Sequence, residues 1–168
     1  AAGIKVTRLD GFPGVGNTTT PEGERVELFE DAALNLTFTP DDGKHSAGSD
    51  RHNKPVGVPI AFHHIHLYLP GEEHLAAKAW YVRMFGGVGG KRSNYDAVDL
   101  PGINLNFSGG RDSAPMSGRT LEHIGFEITG LESFCKRLAS MGATFETPYR
   151  QIEGGIAMAT LKDPWGTV

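Results

Sequence analysis

The segment Phe62–Leu69, with the sequence FHHIHLYL, decides the fold of this chain. Polar and apolar residues alternate along it, as in a β-strand whose successive side chains point to opposite faces of a sheet. One face carries three aliphatic side chains, Ile65, Leu67 and Leu69. The other face carries two imidazoles and a phenol, those of His64, His66 and Tyr68. The pattern predicts a sheet that packs against helices on one side and lines a cavity on the other.

The same pattern returns at Leu121–Ile128, with the sequence LEHIGFEI. In this second copy His123 takes the position of His64, and Ile124 takes the position of Ile65. A repeat of this kind indicates that one structural unit is used twice. The equivalent histidines are therefore expected at equivalent points of two related units.

An amphipathic helix is predicted after each copy, over residues 72–85 and residues 131–141. Apolar residues recur in both at helical spacing, and a glycine follows each one. Two or three strands are predicted between the first helix and His123, the clearest at residues 95–98 and 103–107, and strands at residues 144–146 and 156–162 complete the second unit. The order strand, helix, strand, strand, strand thus occurs twice, which predicts an α+β fold of paired βαβββ modules.

The N-terminal region resembles the tail of a further unit of the same kind. A turn at residues 20–24 leads into an alternating strand with Glu27 on its polar face. The region that follows is polar and rich in turn-forming residues, as in a linker. The predicted division is a partial βαβββ tail left from a preceding module over residues 1–39, a linker over residues 40–59 and a two-module domain over residues 60–168.

Composition excludes several classes of function. The chain of 168 residues has a net charge of −4 and no basic run, which argues against a nucleic-acid partner. The single cysteine, Cys135, excludes an internal disulfide, and its place on an apolar helix stripe favours packing over reactivity. No apolar run is long enough to cross a membrane, and no secretory signal precedes Gly3. The default expectation is a soluble, cytoplasmic protein that acts on a small molecule.

Four segments in this order give the chain a resemblance to the vicinal oxygen chelate superfamily, which includes glyoxalase I, extradiol dioxygenases and bleomycin-resistance proteins. The segments are His64–Leu67, Ala79–Tyr81, His123–Glu127 and Asp163–Gly166. The resemblance covers residues 60–168. It implies that the paired modules form an open, cupped mixed sheet with the helices on its outer face. It also implies that the hollow of the cup holds a divalent metal ion.

The resemblance implies the metal ligands as well. His64 and His123 match the two histidine positions of the family, and a carboxylate on the last strand of the second module is the usual third ligand. That strand would lie beyond Val168, and Glu27 has the same phase on a similar strand. One hypothesis is that Glu27 completes the site, from its own chain or from a second copy in a homodimer. The alternative is that Glu27 belongs to a preceding domain and lies far from both histidines.

Two imidazoles and one carboxylate leave open positions on a first-row metal such as Fe, Zn, Ni or Mn. A substrate with adjacent oxygens can then chelate the ion. Three further residues are expected near the substrate: His66 on the same face, Asn104 on the last strand of the first module, and Tyr149 in a loop at the mouth of the cup. For one lone histidine, a hydrogen-bonded structural role is the ordinary interpretation.

Three hypotheses for function follow. The first is a metal-dependent enzyme of the lyase, isomerase or extradiol dioxygenase type, acting on a small substrate that binds through adjacent oxygens. The second is a metal-free protein that binds a small molecule, as bleomycin-resistance proteins do. The third is a part of a larger chain whose other parts complete the site. Bound metal would distinguish the first from the second.

Overall fold

The computed structural model describes residues 5–8, 10, 15–29, 38–44, 60 and 62–168. Its two helices are α1, His74–Phe85, and α2, Leu131–Ser140. Its strands are β1 Thr7–Arg8, β2 Val15–Thr19, β3 Arg25–Phe29, β4 Phe38–Pro40, β5 Ile65–Tyr68, β6 Val88–Arg92, β7 Tyr95–Leu100, β8 Ile103–Ser108, β9 Thr144–Ile152 and β10 Ile156–Lys162. Neither described helix is long and apolar enough to span a bilayer.

The strands form three sheets, so the structure is α+β with mixed pairing. The largest sheet has five strands in the order β4-β6-β7-β8-β5, and β5 runs parallel to β8 while the other neighbours are antiparallel. β1, β2 and β3 form a second sheet, and β9 pairs with β10 in a third. The first βαβββ module, β5-α1-β6-β7-β8, is therefore complete within one sheet.

Helix α1 packs on the apolar face of the five-stranded sheet. It ends where Gly86 adopts a left-handed conformation with φ of 74° and donates its N–H to the carbonyl of Val82. Its buried residues recur at i, i+3, i+4 and i+7, and they are Ala77, Trp80, Tyr81 and Met84. The sheet supplies Val98, Leu105 and Phe107 to the same core, and Leu138 of α2 joins it. Trp80 also lies in this core, and Phe85 and Phe134 pack against it.

The second module differs from the prediction in its first strand. Ile124 and Phe126 pack against the core, as Ile65 and Leu67 do, so the predicted phase of both segments is correct. Residues 121–128 nevertheless join no strand ladder in the described part of the chain. Their backbone contact with the C-terminal residue is one hydrogen bond, from Ile124 N to the carbonyl of Val168 at 2.8 Å. The second module accordingly does not extend the five-stranded sheet into a single cup.

The turn at Asp163–Gly166 fastens the end of the chain to α1. One oxygen of the buried Asp163 carboxylate accepts the backbone N–H of Trp165 at 2.9 Å and that of Thr167 at 2.7 Å. The other oxygen accepts the hydroxyl of Tyr81 at 2.9 Å. Burial and the neighbouring carboxylate raise the pKa of Tyr81. The turn at Asp163–Gly166 therefore has a structural role in this chain.

The N-terminal region contributes to the same sheet. Phe38–Pro40 forms edge strand β4 beside β6. This strand spans the predicted boundary between the tail and the linker. A Cβ atom on Gly90 would lie 2.5 Å from the backbone oxygen of Thr39, so glycine is required for this close pairing. Residues 45–59 of the predicted linker lie outside the described residues.

Candidate ligand-binding site

One face of the five-stranded sheet is polar, and the strand register shows which residues share it. In the parallel pair of β5 and β8, His66 lies beside Asn106, and Tyr68 lies beside Ser108. Leu105 and Phe107 alternate with these residues and belong to the buried core on the opposite face. The sheet is thus packed on one side and carries imidazole, amide and hydroxyl groups on the other, as predicted from the alternation of Phe62–Leu69.

His66 lies at the centre of an aromatic cluster on this face. Its ring stacks on Tyr68 with centroids 4.5 Å apart and an interplanar angle of 8°. The Tyr95 ring contacts it edge-on with centroids 4.6 Å apart, and the centroid of the His64 ring lies 6.0 Å from that of His66. The Nε2 atom of His66 and the hydroxyl of Ser108 are hydrogen-bonded at 2.8 Å. These contacts fix the orientation of the imidazole.

A chain of hydrogen bonds determines which nitrogen of His64 carries its proton. Nη1 of Arg92 lies 2.8 Å from Nε2 of His63, and a guanidinium only donates, so that nitrogen accepts. His63 then has its proton on Nδ1, which lies 2.8 Å from Nδ1 of His64. His64 accepts there, so its own proton resides on Nε2. Arg92 thereby fixes the tautomers of both histidines.

Both imidazoles on the polar face are neutral at pH 7. Burial, followed by the charges of neighbouring histidines and arginines, lowers the pKa of His64 to about 3. Burial, followed by the charges of Arg25 and Arg111, lowers the pKa of His66 to about 4. Burial is the largest cause of the lowered pKa in both histidines.

Asn104 and Asn106 occupy neighbouring positions on the polar side of β8 and have different environments. Asn104 is fully buried. Its Oδ1 accepts a hydrogen bond from Nε of Arg92 at 3.3 Å, and its Nδ2 donates one to Oδ1 of Asp99 at 3.2 Å. It therefore joins two buried charges instead of lining an open cavity, in contrast to the prediction. Asn106 is 2% exposed, and its Oδ1 has no hydrogen-bond partner among the described residues.

The three residues expected to bind metal are placed as follows. Oε2 of Glu27 lies 3.8 Å from Nε2 of His64, so β3 brings this carboxylate beside the first histidine. Two donor atoms of one ion, each about 2.1 Å from it, lie at most about 4.2 Å apart, so the pair is within that span. His123 has 65% of its side chain exposed, and Glu122 is its carboxylate neighbour at 3.8 Å.

These residues do not fit the three-ligand centre that the resemblance implies. No three His, Cys, Asp or Glu side chains of the described ranges are grouped so that they could hold a metal ion. In addition, His64 has its proton on Nε2, the atom that faces Glu27. An imidazole nitrogen binds metal only without its proton, so coordination there would require the hydrogen bonds from Arg92 through His63 to reverse.

His66 and Tyr149, two of the three predicted substrate residues, line two different cavities. His66 and Tyr68 line a cavity of about 550 Å³ along the edge of β5, which Trp165 and the turn at residues 22–24 also border. Tyr149 lies within β9, not in a loop, and lines a cavity of about 690 Å³ beside α2. Of the three predicted substrate residues, His66 therefore both lies on the polar face of the sheet and lines a cavity.

Sequence reasoning did not identify His63, Arg92 and Arg111. Arg111 lies with Cζ 4.3 Å above the Tyr68 ring, and Arg92 is 1% exposed. No local pattern distinguishes these arginines from surface residues. Strict alternation would place His63 on the apolar face of the strand, but β5 begins at Ile65, so the alternation does not apply to it.

Comparison with known proteins finds similar structures but no similar sequence family. No protein-family model matches the chain, and no curated protein sequence matches it. The crystal structure of SMU.1112c is similar with a TM-score of 0.50 and 22% identity, over 66% of this chain and 96% of that one. The glyoxalase family protein from Enterococcus faecalis gives a TM-score of 0.49 and 18% identity, over 64% and 93%. TioX from Micromonospora sp. ML1 gives a TM-score of 0.46 and 18% identity, over 62% of this chain and 92% of that one. At these identities the likeness concerns the fold.

Proposed function

We propose that the chain binds a small molecule with two adjacent oxygen atoms on the polar face of the five-stranded sheet, against His66. The observation that carries this proposal is the setting of His66. It is a neutral imidazole, held between two aromatic rings and a hydroxyl, on the wall of a cavity of about 550 Å³. Ligand sites commonly combine a cavity of this size with a few fixed polar groups.

The energetics of the polar face support a binding role. Desolvation of imidazole and amide groups opposes folding, and Asn106 keeps a buried oxygen without a partner among the described residues. Aliphatic residues at such positions would favour stability. Local departures from the most stable arrangement are characteristic of functional sites.

The binding proposal can be tested with catechol, a small neutral compound with adjacent oxygens. We expect the imidazole signals of His66 in ¹H–¹⁵N spectra to shift saturably as catechol is added. His66→Asn should abolish the shift of the neighbouring ring signals, because the stacked imidazole is lost. His123→Asn is the matched control and should bind like the parent protein, because His123 is 65% exposed and lies outside the cluster. Catechol signals that follow His123 instead of His66 would refute the proposal.

A metal-dependent enzyme is the second candidate, and one observation favours it. The 3.8 Å separation of Glu27 and His64 is short enough for both to bind one divalent ion, with the remaining positions filled by water or substrate. On this proposal the ion would be Fe, Zn, Ni or Mn, and the reaction would be of the lyase, isomerase or dioxygenase type. The two protein donors would be Nε2 of His64, after loss of its proton, and the Glu27 carboxylate.

Titration with Co²⁺, followed by visible absorption and elemental analysis, tests this candidate. Glu27→Gln should weaken cobalt binding by on the order of tenfold or more, because the amide is a much poorer ligand than the carboxylate. Glu153→Gln, at an exposed turn, is the control with the same change of charge. Equal cobalt affinity in the two variants would remove Glu27 from the site. His123→Asn shows in the same titration whether the second expected histidine takes part.

A further inference from the structure

We infer that the ligand of this polar face meets Nδ1 of His66, and that the hydroxyl of Ser108 lets this nitrogen either accept or donate the hydrogen bond. The site therefore takes adjacent oxygens in the hydroxyl form, as in a catechol, and in the ether or carbonyl form. The inference rests on the proposed binding function and adds the chemical class of the ligand and one positioning residue.

The imidazole of His66 is held in one orientation. Its ring stacks on Tyr68 with centroids 4.5 Å apart, and the Tyr95 ring contacts it edge-on. Its Nε2 atom lies 2.8 Å from Oγ of Ser108, so this nitrogen is engaged within the protein. Nδ1 has no hydrogen-bond partner among the described residues, and His66 lines the cavity of about 550 Å³. Nδ1 is therefore the ring nitrogen that is available to a ligand.

The hydroxyl of Ser108 can take either direction in its bond with His66. A serine hydroxyl has one donor and two acceptor lone pairs, and within the part of the chain that the structure describes its hydrogen-bond partner is His66 alone. When the hydroxyl accepts the proton of Nε2, Nδ1 of the neutral ring is an acceptor. When it donates to Nε2, the ring proton lies on Nδ1, which is then a donor. Both arrangements retain the hydrogen bond of 2.8 Å.

The neighbouring His64 lacks this freedom. The guanidinium of Arg92 only donates, so the hydrogen bonds through His63 keep the proton of His64 on Nε2. The two imidazoles of this face are thus held by partners of different kinds, one by a donor of fixed direction and the other by a hydroxyl. A ligand that meets Nδ1 of His66 selects one of two neutral tautomers, and the charge of the ring does not change.

The direction of the hydrogen bond determines which ligands share the site. An imidazole nitrogen is a stronger base than a phenolic oxygen, so a hydroxyl of catechol donates to Nδ1. An ether or carbonyl oxygen only accepts, so it requires the proton on Nδ1. A site whose tautomer is fixed rejects one of the two forms, because a buried polar group is then left unpaired. 1,3-Benzodioxole has the aromatic ring and adjacent oxygens of catechol without a hydroxyl, and it is the acceptor-only counterpart.

Long-range ¹H–¹⁵N spectra of the protein with catechol and with 1,3-benzodioxole, at neutral pH, test the inference. His66 should carry its proton on Nε2 in the catechol complex and on Nδ1 in the benzodioxole complex. The affinities for the two compounds should agree within about tenfold, because each forms the same number of hydrogen bonds with Nδ1. His64 is the internal control and should keep its proton on Nε2 in both complexes, since Arg92 fixes it.

Substitution of Ser108 separates a positioning role from a general effect on structure. Ser108→Ala leaves Nε2 of His66 without its partner and should weaken the binding of both compounds by about three- to tenfold. Ser108→Thr keeps the hydroxyl and should restore both affinities and the change of tautomer. Ser140→Ala is the matched control, because it removes a hydroxyl on α2 that donates to the carbonyl of Arg137 at 2.7 Å. It should bind both compounds like the parent protein.

The outcomes separate the two proposals. Failure of both compounds to bind at His66 would refute the binding function. Catechol binding without benzodioxole binding, or the same tautomer of His66 in both complexes, would refute the inference alone. Affinities and tautomers in Ser108→Ala that equal those of the parent protein would show that Ser108 does not position the imidazole, and the inference would fail on that point too.

Discussion

His63 and His64 are joined by a hydrogen bond of 2.8 Å between their Nδ1 atoms, and Arg92 on the far side of His63 sets its direction. Adjacent residues of an extended chain ordinarily point to opposite faces of a sheet. This pair can meet because both residues precede β5, which begins at Ile65. The bond lets a buried arginine determine which nitrogen of His64, the histidine beside Glu27, carries the proton.

The first prediction concerns these tautomers. Long-range ¹H–¹⁵N spectra at neutral pH should show the Nε2–H form of His64 and the Nδ1–H form of His63, because Arg92 supplies only donors. His63→Phe removes the donor to His64 and should leave His64 as a mixture of the two tautomers. Detection of the Nδ1–H form of His64 in the unchanged protein would contradict the direction of the bond.

The second prediction concerns the dependence of stability on pH. The pKa of His64 falls from 6.5 to about 3 on folding, and that of His66 falls from 6.5 to about 4. Below pH 6.5 the unfolded chain therefore binds protons that the folded protein does not. The stability associated with these groups is fully present above pH 6.5 and is lost as the pH falls toward the folded values.

Chemical denaturation over this range provides the measurement. Each histidine should contribute at most about 1.4 kcal/mol per pH unit to the decline in the free energy of unfolding. The variant His64→Asn/His66→Asn should show a shallower decline than the parent protein between pH 6.5 and about 4. His123→Asn serves as the control, and its profile should follow that of the parent. Parallel profiles of the parent and the double variant would show that these histidines are not buried in neutral form.

The third prediction compares the two asparagines on the polar side of β8. Asn106 keeps a buried oxygen without a partner among the described residues, which costs about 1–3 kcal/mol. The nearly isosteric change Asn106→Leu should therefore leave the free energy of unfolding unchanged or raise it by about 1 kcal/mol. Asn104→Leu should lower it by about 2–3 kcal/mol, because Arg92 and Asp99 each lose a buried hydrogen bond. Equal losses in the two variants would indicate that Asn106 has a partner.

The sequence predicts the elements whose periodicity is local. Alternation assigns the faces of Phe62–Leu69 and Leu121–Ile128, and helical spacing locates α1 and α2 to within two residues. Ladder formation depends on which strands become neighbours, and alternation carries no such information. Residues 121–128 therefore keep the predicted faces, although they join no ladder in the described part of the chain.

The site shows the same division between local and tertiary information. His66 could be identified because its face follows from the strand period. Arg92 could not, because its burial depends on Asn104 and His63, which are distant in sequence. Glu27 was proposed as a partner of His64 by comparison with the last strand of a module, and the two lie 3.8 Å apart. Whether the pair binds metal remains the prediction that cobalt titration tests.

The last prediction concerns the bond between Tyr81 and Asp163. It links α1 to the C-terminal turn, and both residues are buried. Tyr81→Phe removes the hydroxyl that donates to the carboxylate at 2.9 Å and leaves the ring in place. The Asp163 oxygen then remains buried without this donor, so the free energy of unfolding should fall by about 1.5–3 kcal/mol.

Tyr95→Phe is the matched control, because it removes the same group from a residue that is 44% exposed. Its effect on stability should be within about 0.5 kcal/mol. The loss in Tyr81→Phe should also be smaller in Asp163→Asn, since the neutral amide has less need of a donor than a buried carboxylate has. Denaturation of the two single variants and the double variant measures this coupling. Additive effects would show that the hydroxyl of Tyr81 does not stabilise the charge on Asp163.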